Sequence, residues 1–181
     1  RGTVPAAEAV WLVDQLLAGL SIVHAAEVVH RDIKPENVLM DRTPGGLVPR
    51  LTDFGIARIV ETGPAAKTTA IVGTPDYMAP ELADGESPTI QSDLYSVGIM
   101  LYELLCGVTP FAGGSPLAVL RRHVSQEPGR PDGIPDQLWS VVSTMLAKAP
   151  GNRPRSADDV RQRLGSLLPM LGSVAALPRL A

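Results

Sequence analysis

The sequence predicts a mainly α-helical domain wound around one buried helix, with a single short β-hairpin early in the chain. Three observations carry that prediction. Val10, Val13, Leu16, Leu17, Leu20 and Val23 recur at three-and-four spacing, the pattern of a long amphipathic helix. Ser92 to Gly107, SDLYSVGIMLYELLCG, repeats that spacing at Val97, Met100, Leu101, Leu104 and Leu105. There Ile99 and Tyr102 make the remaining faces apolar as well, so the segment belongs inside the fold. Between the two, Val38, Leu39 and Met40 form a short apolar strand, DRTPGGLVP supplies Pro and Gly turn chemistry, and RLTDF returns as a second strand. The pair reads as a hairpin with a loose tip.

Thr3 is the expected N-cap of the first helix, and Pro5 suits its first turn. His24, near the end of that helix, reads as a hydrogen-bonded structural histidine. Ser92 is the expected cap of the central helix, Gly107 lies just past its end, and Gly98 inside it predicts close approach by a neighbouring backbone. Three helices follow. Ser115-Pro116 starts one; Leu138, Val141, Val142, Met145 and Leu146 mark the second; Ser156-Ala-Asp-Asp159 resembles a capping box for the third. His123, beside Arg121 and Arg122, is expected on a solvated face. From Ser166 the chain is apolar but carries Pro169 and Pro178, which argues against a long helix and makes 169–181 a tail or linker.

Composition sets limits. The 181 residues, 45% of them hydrophobic, suit one domain with its own core. A net charge of −3 without any long Lys or Arg run argues against nucleic acid or anionic membrane as partner. Cys106, the only cysteine, has no internal disulfide partner and reads as a buried thiol of a reduced, cytoplasmic protein. The run GIMLYELLCGV contains Glu103 and falls short of the roughly 20 residues that cross a bilayer. RGTVPAAEA lacks the pattern of a signal peptide. A soluble chain without a membrane span is expected.

The chemistry concentrates in HRDIKPENVLM, His30 to Met40. Asp32, Lys34 and Asn37 share one loop and can face one point. A base, a phosphate-binding cation and a metal-binding amide are what phosphoryl transfer from a metal-bound nucleotide requires, because that reaction runs on positioning and charge neutralisation. Asp53-Phe54-Gly55 follows at the end of the hairpin, where a second hard-oxygen ligand for a divalent ion is needed. GTPDYMAPE, Gly73 to Glu81, comes after a loop that contains Thr68 and Thr69.

Together these motifs resemble the catalytic loop, the DFG metal motif and the APE segment of protein kinases. The resemblance spans about residues 3 to 168 and is to the large C-terminal lobe of a bacterial, Hanks-type serine/threonine kinase. It implies a helical lobe around a buried central helix, with a β-hairpin carrying the catalytic and metal loops, over residues 1–168. It implies ATP with Mg2+, Mn2+ being possible, and transfer to Ser or Thr of protein substrates. Asp32 would act on the substrate hydroxyl, Lys34 on the γ-phosphate, and Asn37 with Asp53 on the metal. Glu36 and Leu39 would line the nucleotide site. Thr74 would bond Asp32 and Lys34, and Arg31 would pair with phosphorylated Thr68 or Thr69. Glu81 would pair with Arg153, Asp93 would hold the catalytic-loop backbone, and His30 with Phe54 would stack above it. No Gly-rich loop and no strand lysine of the V-A-I-K type precede the catalytic loop, so a small lobe is expected in cis or in trans. The alternative is a truncated, catalytically weak kinase-like binding module.

Overall fold

The computed structural model describes residues 2–54 and 75–172. Gly55, Thr68, Thr69 and Thr74 lie outside the described residues, as does the chain from residue 173. Among the described residues the helices are α1 (Ala6–Ala25), α2 (Pro80–Ala83), α3 (Ile90–Cys106), α4 (Pro116–Ser125), α5 (Asp136–Met145) and α6 (Ala157–Leu171). One antiparallel pair, β1 (Val38–Thr43) and β2 (Gly46–Leu51), lies between α1 and α2. The fold is mostly helical with a two-stranded sheet.

Helix α3 is the centre. Leu94, Tyr95, Val97, Ile99, Leu101 and Leu105 are all buried, and α1 and α5 pack against it. Gly98 is where α5 comes closest: a Cβ there would lie 2.9 Å from Met145 Cβ and 3.1 Å from Leu146 Cδ2. Gly107 ends the helix in the left-handed region at φ 78°, which glycine adopts without a Cβ penalty. The helix begins earlier than its apolar run suggests. Thr89 is the cap, and its amide donates to Ser92 Oγ at 3.0 Å, so Ser92 lies one turn inside. Burial pushes the Cys106 thiol up to about 12, leaving it inert.

Helix α1 is long and apolar enough to cross a membrane by length and composition. In this fold it is a core helix, with Val10, Val13, Leu16, Leu17 and Leu20 buried and α6, β2 and α3 packed against it. Its cap is Pro5 and not Thr3.

Three further expectations are corrected. The hairpin tip is tight: the register runs Val38↔Leu51 to Thr43↔Gly46, leaving Pro44 and Gly45 as a two-residue turn. Gly46 at φ 116° and a bond from Thr43 Oγ1 to the Gly46 carbonyl at 2.8 Å close it. Pro49 is accommodated in β2 because a two-stranded ribbon has only edges. Helix α6 continues through Pro169, since losing one amide bond near its end is offset by burial of Leu171. His123 is fully buried, because Val119 and His123 form the inward stripe of α4 while Arg121 beside it faces out.

Candidate active site

The site grows out of the turn after α1. Arg31 lies in the left-handed region at φ 73°, a conformation that a non-glycine residue holds only when its surroundings impose it. Asp93, in the first turn of α3, imposes it. One carboxylate oxygen accepts from the His30 amide at 2.8 Å and the other from the Arg31 amide at 2.9 Å. His24 Nε2 lies 2.9 Å from the same oxygen that binds His30. The buried end of α3 therefore fixes the backbone that carries Asp32.

After Arg31 the chain is extended, Lys34 having φ −161° and ψ 161°, so successive side chains alternate. Ile33 points into the core and is 2% exposed. Asp32 and Lys34 consequently share the opposite side, where Lys34 Nζ donates to Asp32 Oδ2 at 2.7 Å. Pro35 then opens a 3₁₀ turn, Pro35–Asn37, that folds Asn37 back over Asp32. Asn37 Nδ2 donates to the Asp32 carbonyl at 2.7 Å and to Asp32 Oδ2 at 3.0 Å. Three side chains from six consecutive residues thus meet at one carboxylate oxygen.

The hairpin brings in the rest. The Thr52 amide donates to the Asn37 carbonyl at 2.9 Å, which places Asp53 next along from a residue bonded to the catalytic loop. Asp53 is exposed and left-handed at φ 56°, a turn that lays the Phe54 ring on His30 with centroids 4.4 Å apart. His30 Nε2–H donates to the Thr52 carbonyl at 3.1 Å, and burial holds the imidazole below its ordinary value, against the pull of the Asp93 carboxylate. Glu36 and Leu39 stand exposed beside the loop, Leu39 at 59%. Thr52 and Ile33 do as much to build the site as the residues singled out from the sequence, yet neither was among them. Their alternation in extended chain was the available signal.

Metal fit follows from the donors. Asn37 turns its amide nitrogen toward Asp32, so its oxygen is the end that can face a ligand, and Asp53 offers an exposed carboxylate. Two hard oxygens suit Mg2+ shared with substrate phosphates and water. Among the described residues no group of three or more His, Cys, Asp or Glu makes a separate metal cage.

Glu81 of α2 meets Arg153. Arg153 Nη1 and Nη2 donate to Glu81 Oε1 and Oε2 at 2.8 and 2.7 Å. The remaining donors go to the carbonyls of Ala147, Gln91 and Lys148 at 2.8, 3.0 and 2.9 Å, so all five N–H groups are satisfied. Ser92 Oγ adds a bond to Glu81 Oε1 at 2.7 Å. Burial is the largest single influence on the Glu81 carboxyl and pushes it up, but the bonds from Arg153 and Ser92 outweigh it and hold the group below its ordinary value.

The description that matches this chain is the protein kinase domain, over residues 1–163. The chain belongs to the protein kinase domain family. Among similar proteins, the serine/threonine-protein kinase PkaB of Streptomyces coelicolor is 50% identical over 174 residues, covering 93% of this chain and 42% of that protein. PkaA of the same organism is 47% identical over 164 residues, with 91% and 30% covered. PknA of Corynebacterium glutamicum is 40% identical over 154 residues, with 84% and 32% covered. The chain spans less than half the length of these curated relatives. Within the kinase domain, Asp32, Lys34, Asn37 and the Thr52–Phe54 segment after β2 are gathered into one site, Asp93 holds its backbone, and Glu81 pairs with Arg153.

Proposed function

We propose that the chain is the large lobe of a serine/threonine protein kinase that transfers the γ-phosphate of ATP to Ser and Thr hydroxyls of proteins. The observation that supports this most is the convergence of Lys34 Nζ and Asn37 Nδ2 on Asp32 Oδ2, at 2.7 and 3.0 Å. That pair fixes the carboxylate so that it can orient the substrate hydroxyl and take its proton. Lys34, already beside Asp32, steadies the incoming phosphoryl group by charge. Asn37 and Asp53 hold Mg2+, which supplies neutralisation of the phosphate charge when bound. Thr74 ties Asp32 to the substrate-docking segment, and Arg31 receives a phosphate on Thr68 or Thr69.

The hairpin supports the partner side of this reading. Leu39, Met40 and Leu47 are exposed apolar residues on the strands that follow Asn37. They suit an adenine ring and a small lobe, carried in cis or in trans, that closes over it. The lobe takes in α6 as far as Leu171, beyond the boundary at 168 expected from the sequence, in a cytoplasmic protein. The test joins the chain to a small lobe and supplies labelled ATP, Mg2+ and a protein substrate. Phosphoserine or phosphothreonine that disappears on metal chelation is expected. Phosphotyrosine, or transfer without a divalent ion, overturns the reading.

A further inference from the structure

Helix α3 is apolar on most faces but carries one polar stripe. Ser96 and Glu103 lie about one and three helical turns beyond Ser92, so the three share a face. All three bond the segment from Pro75 to Glu81 that runs into α2. Ser92 Oγ donates to Glu81 Oε1 at 2.7 Å, Ser96 Oγ donates to the Tyr77 carbonyl at 2.7 Å, and Tyr77 Oη donates to Glu103 Oε2 at 2.5 Å. The stripe therefore sets how Tyr77 to Glu81 lies along the central helix.

The three bonds differ in what they hold. Those of Ser92 and Glu103 end on side chains, whose torsions leave the main chain room to shift. Ser96 grips main chain. A carbonyl can only accept, so the serine hydroxyl is the donor whatever the protonation around it. Its alternative acceptor is the Ser92 carbonyl, one turn back in its own helix at 3.2 Å, the usual partner of a serine inside a helix. With one proton to give, the hydroxyl favours the shorter contact, to Tyr77. Tyr77 is the third residue of a turn that the Met78 amide closes by donating to the Pro75 carbonyl at 3.0 Å. Holding its carbonyl holds that turn.

We propose that Ser96 is a positioning residue of the docking segment: by giving its hydroxyl to the Tyr77 carbonyl instead of to its own helix, it fixes where the Pro75–Met78 turn, against which a protein substrate lies, sits on α3. The substrate half rests on the kinase reading above; the placement of the turn rests on geometry alone. Ser96→Ala and Ser96→Thr separate this role from packing. Alanine removes the hydroxyl but is the better helix former, so α3 keeps its stability while the turn loses its anchor. Threonine keeps the hydroxyl.

In the chain itself, amide hydrogen exchange at Met78 is expected to quicken about three- to tenfold for Ser96→Ala, the range of one net hydrogen bond, and to stay within about twofold for Ser96→Thr. Exchange at Leu101, inside α3, is expected to stay within about twofold in both, and Tm within about 4 °C. In the form joined to a small lobe, the peptide KM is expected to rise for Ser96→Ala by the factor seen at Met78, with the KM for ATP unchanged. Unchanged Met78 exchange in Ser96→Ala, equal behaviour of the two variants, or parallel changes in both KM values overturns the proposal. So does a larger fall in Tm shared by both variants, which marks Ser96 as a packing residue. If the wild type transfers no phosphate, the kinase reading fails and the exchange result alone decides this one.

Discussion

Replacing Asp93 by Asn perturbs the one carboxylate that carries the catalytic-loop backbone, with almost no change of volume. Three groups converge on Asp93: the amides of His30 and Arg31 at 2.8 and 2.9 Å, and His24 Nε2 at 2.9 Å. Asn has one acceptor and one donor end. Keeping the oxygen toward His30 and His24 points the new NH2 at the Arg31 amide, donor against donor. The loss is one charge-assisted bond plus an unsatisfied buried N–H, together about 3 kcal/mol. Arg31, held at φ 73°, then loses the contact that imposes that conformation. For a domain of this size about 3 kcal/mol lowers Tm by roughly 6 to 12 °C. Calorimetry of the chain measures it. Amide exchange at Arg31 should quicken by about two orders of magnitude if the loop opens locally at the same cost. A Tm within about 2 °C of wild type, the two-degree scale being well inside the predicted drop, together with unchanged Arg31 exchange, refutes the bracing role.

Other variants test the packing and the buried charges. Gly98→Ala should destabilise by about 1 to 2 kcal/mol, because overpacking against Met145 Cβ at 2.9 Å exceeds the helix-propensity gain of about 1 kcal/mol; a raised Tm would show that α5 yields freely. Arg153→Met should cost about 3 to 5 kcal/mol by leaving Glu81 buried and unpaired, read as a lower urea midpoint at pH 7. In wild type the depressed Glu81 carboxyl contributes stability above its ordinary 4.5 that is lost as pH falls through its lower folded value. In Arg153→Met the folded carboxyl binds its proton more readily, so the fall in stability toward acid should shrink or reverse. His123 adds a separate slope. Its folded value of about 4 lies below the ordinary 6.5, so the unfolded chain binds the proton first and stability falls by roughly 3 kcal/mol between pH 6.5 and 4. His123→Phe should remove that slope, and an unchanged pH profile would contradict the buried neutral ring.

Much of this was legible in the chain because local pattern and tertiary role agree. The apolar run through Val97, Leu101 and Leu105 is buried on all sides, and the spacing in α1 maps onto the residues that α6, β2 and α3 cover. HRDIKPEN folds back on itself because Ile33 alternates with Asp32 and Lys34, and Pro35 starts the turn that returns Asn37. Misreadings arose where local chemistry and context conflict. His123 has charged neighbours in sequence, but its partner Val119 lies four residues away on the inward stripe, and period outweighs adjacency. Pro169 is a helix breaker that near a helix end removes one bond while burial of Leu171 persists. The bond between Asp93 and His24 joins residues 69 positions apart, beyond anything that local spacing can register.

The most direct measurement of the central claim is labelled phosphate transfer from ATP to a Ser/Thr peptide by the chain joined to a small lobe, compared with its Asp32→Asn form. Lys34 and Asn37 both bond the Asp32 side chain, so the substitution keeps the loop while removing the base. The account predicts a fall in kcat of about 10² to 10⁴, the usual contribution of a positioned general base, at an unchanged Tm. Transfer at the wild-type rate by Asp32→Asn would contradict it.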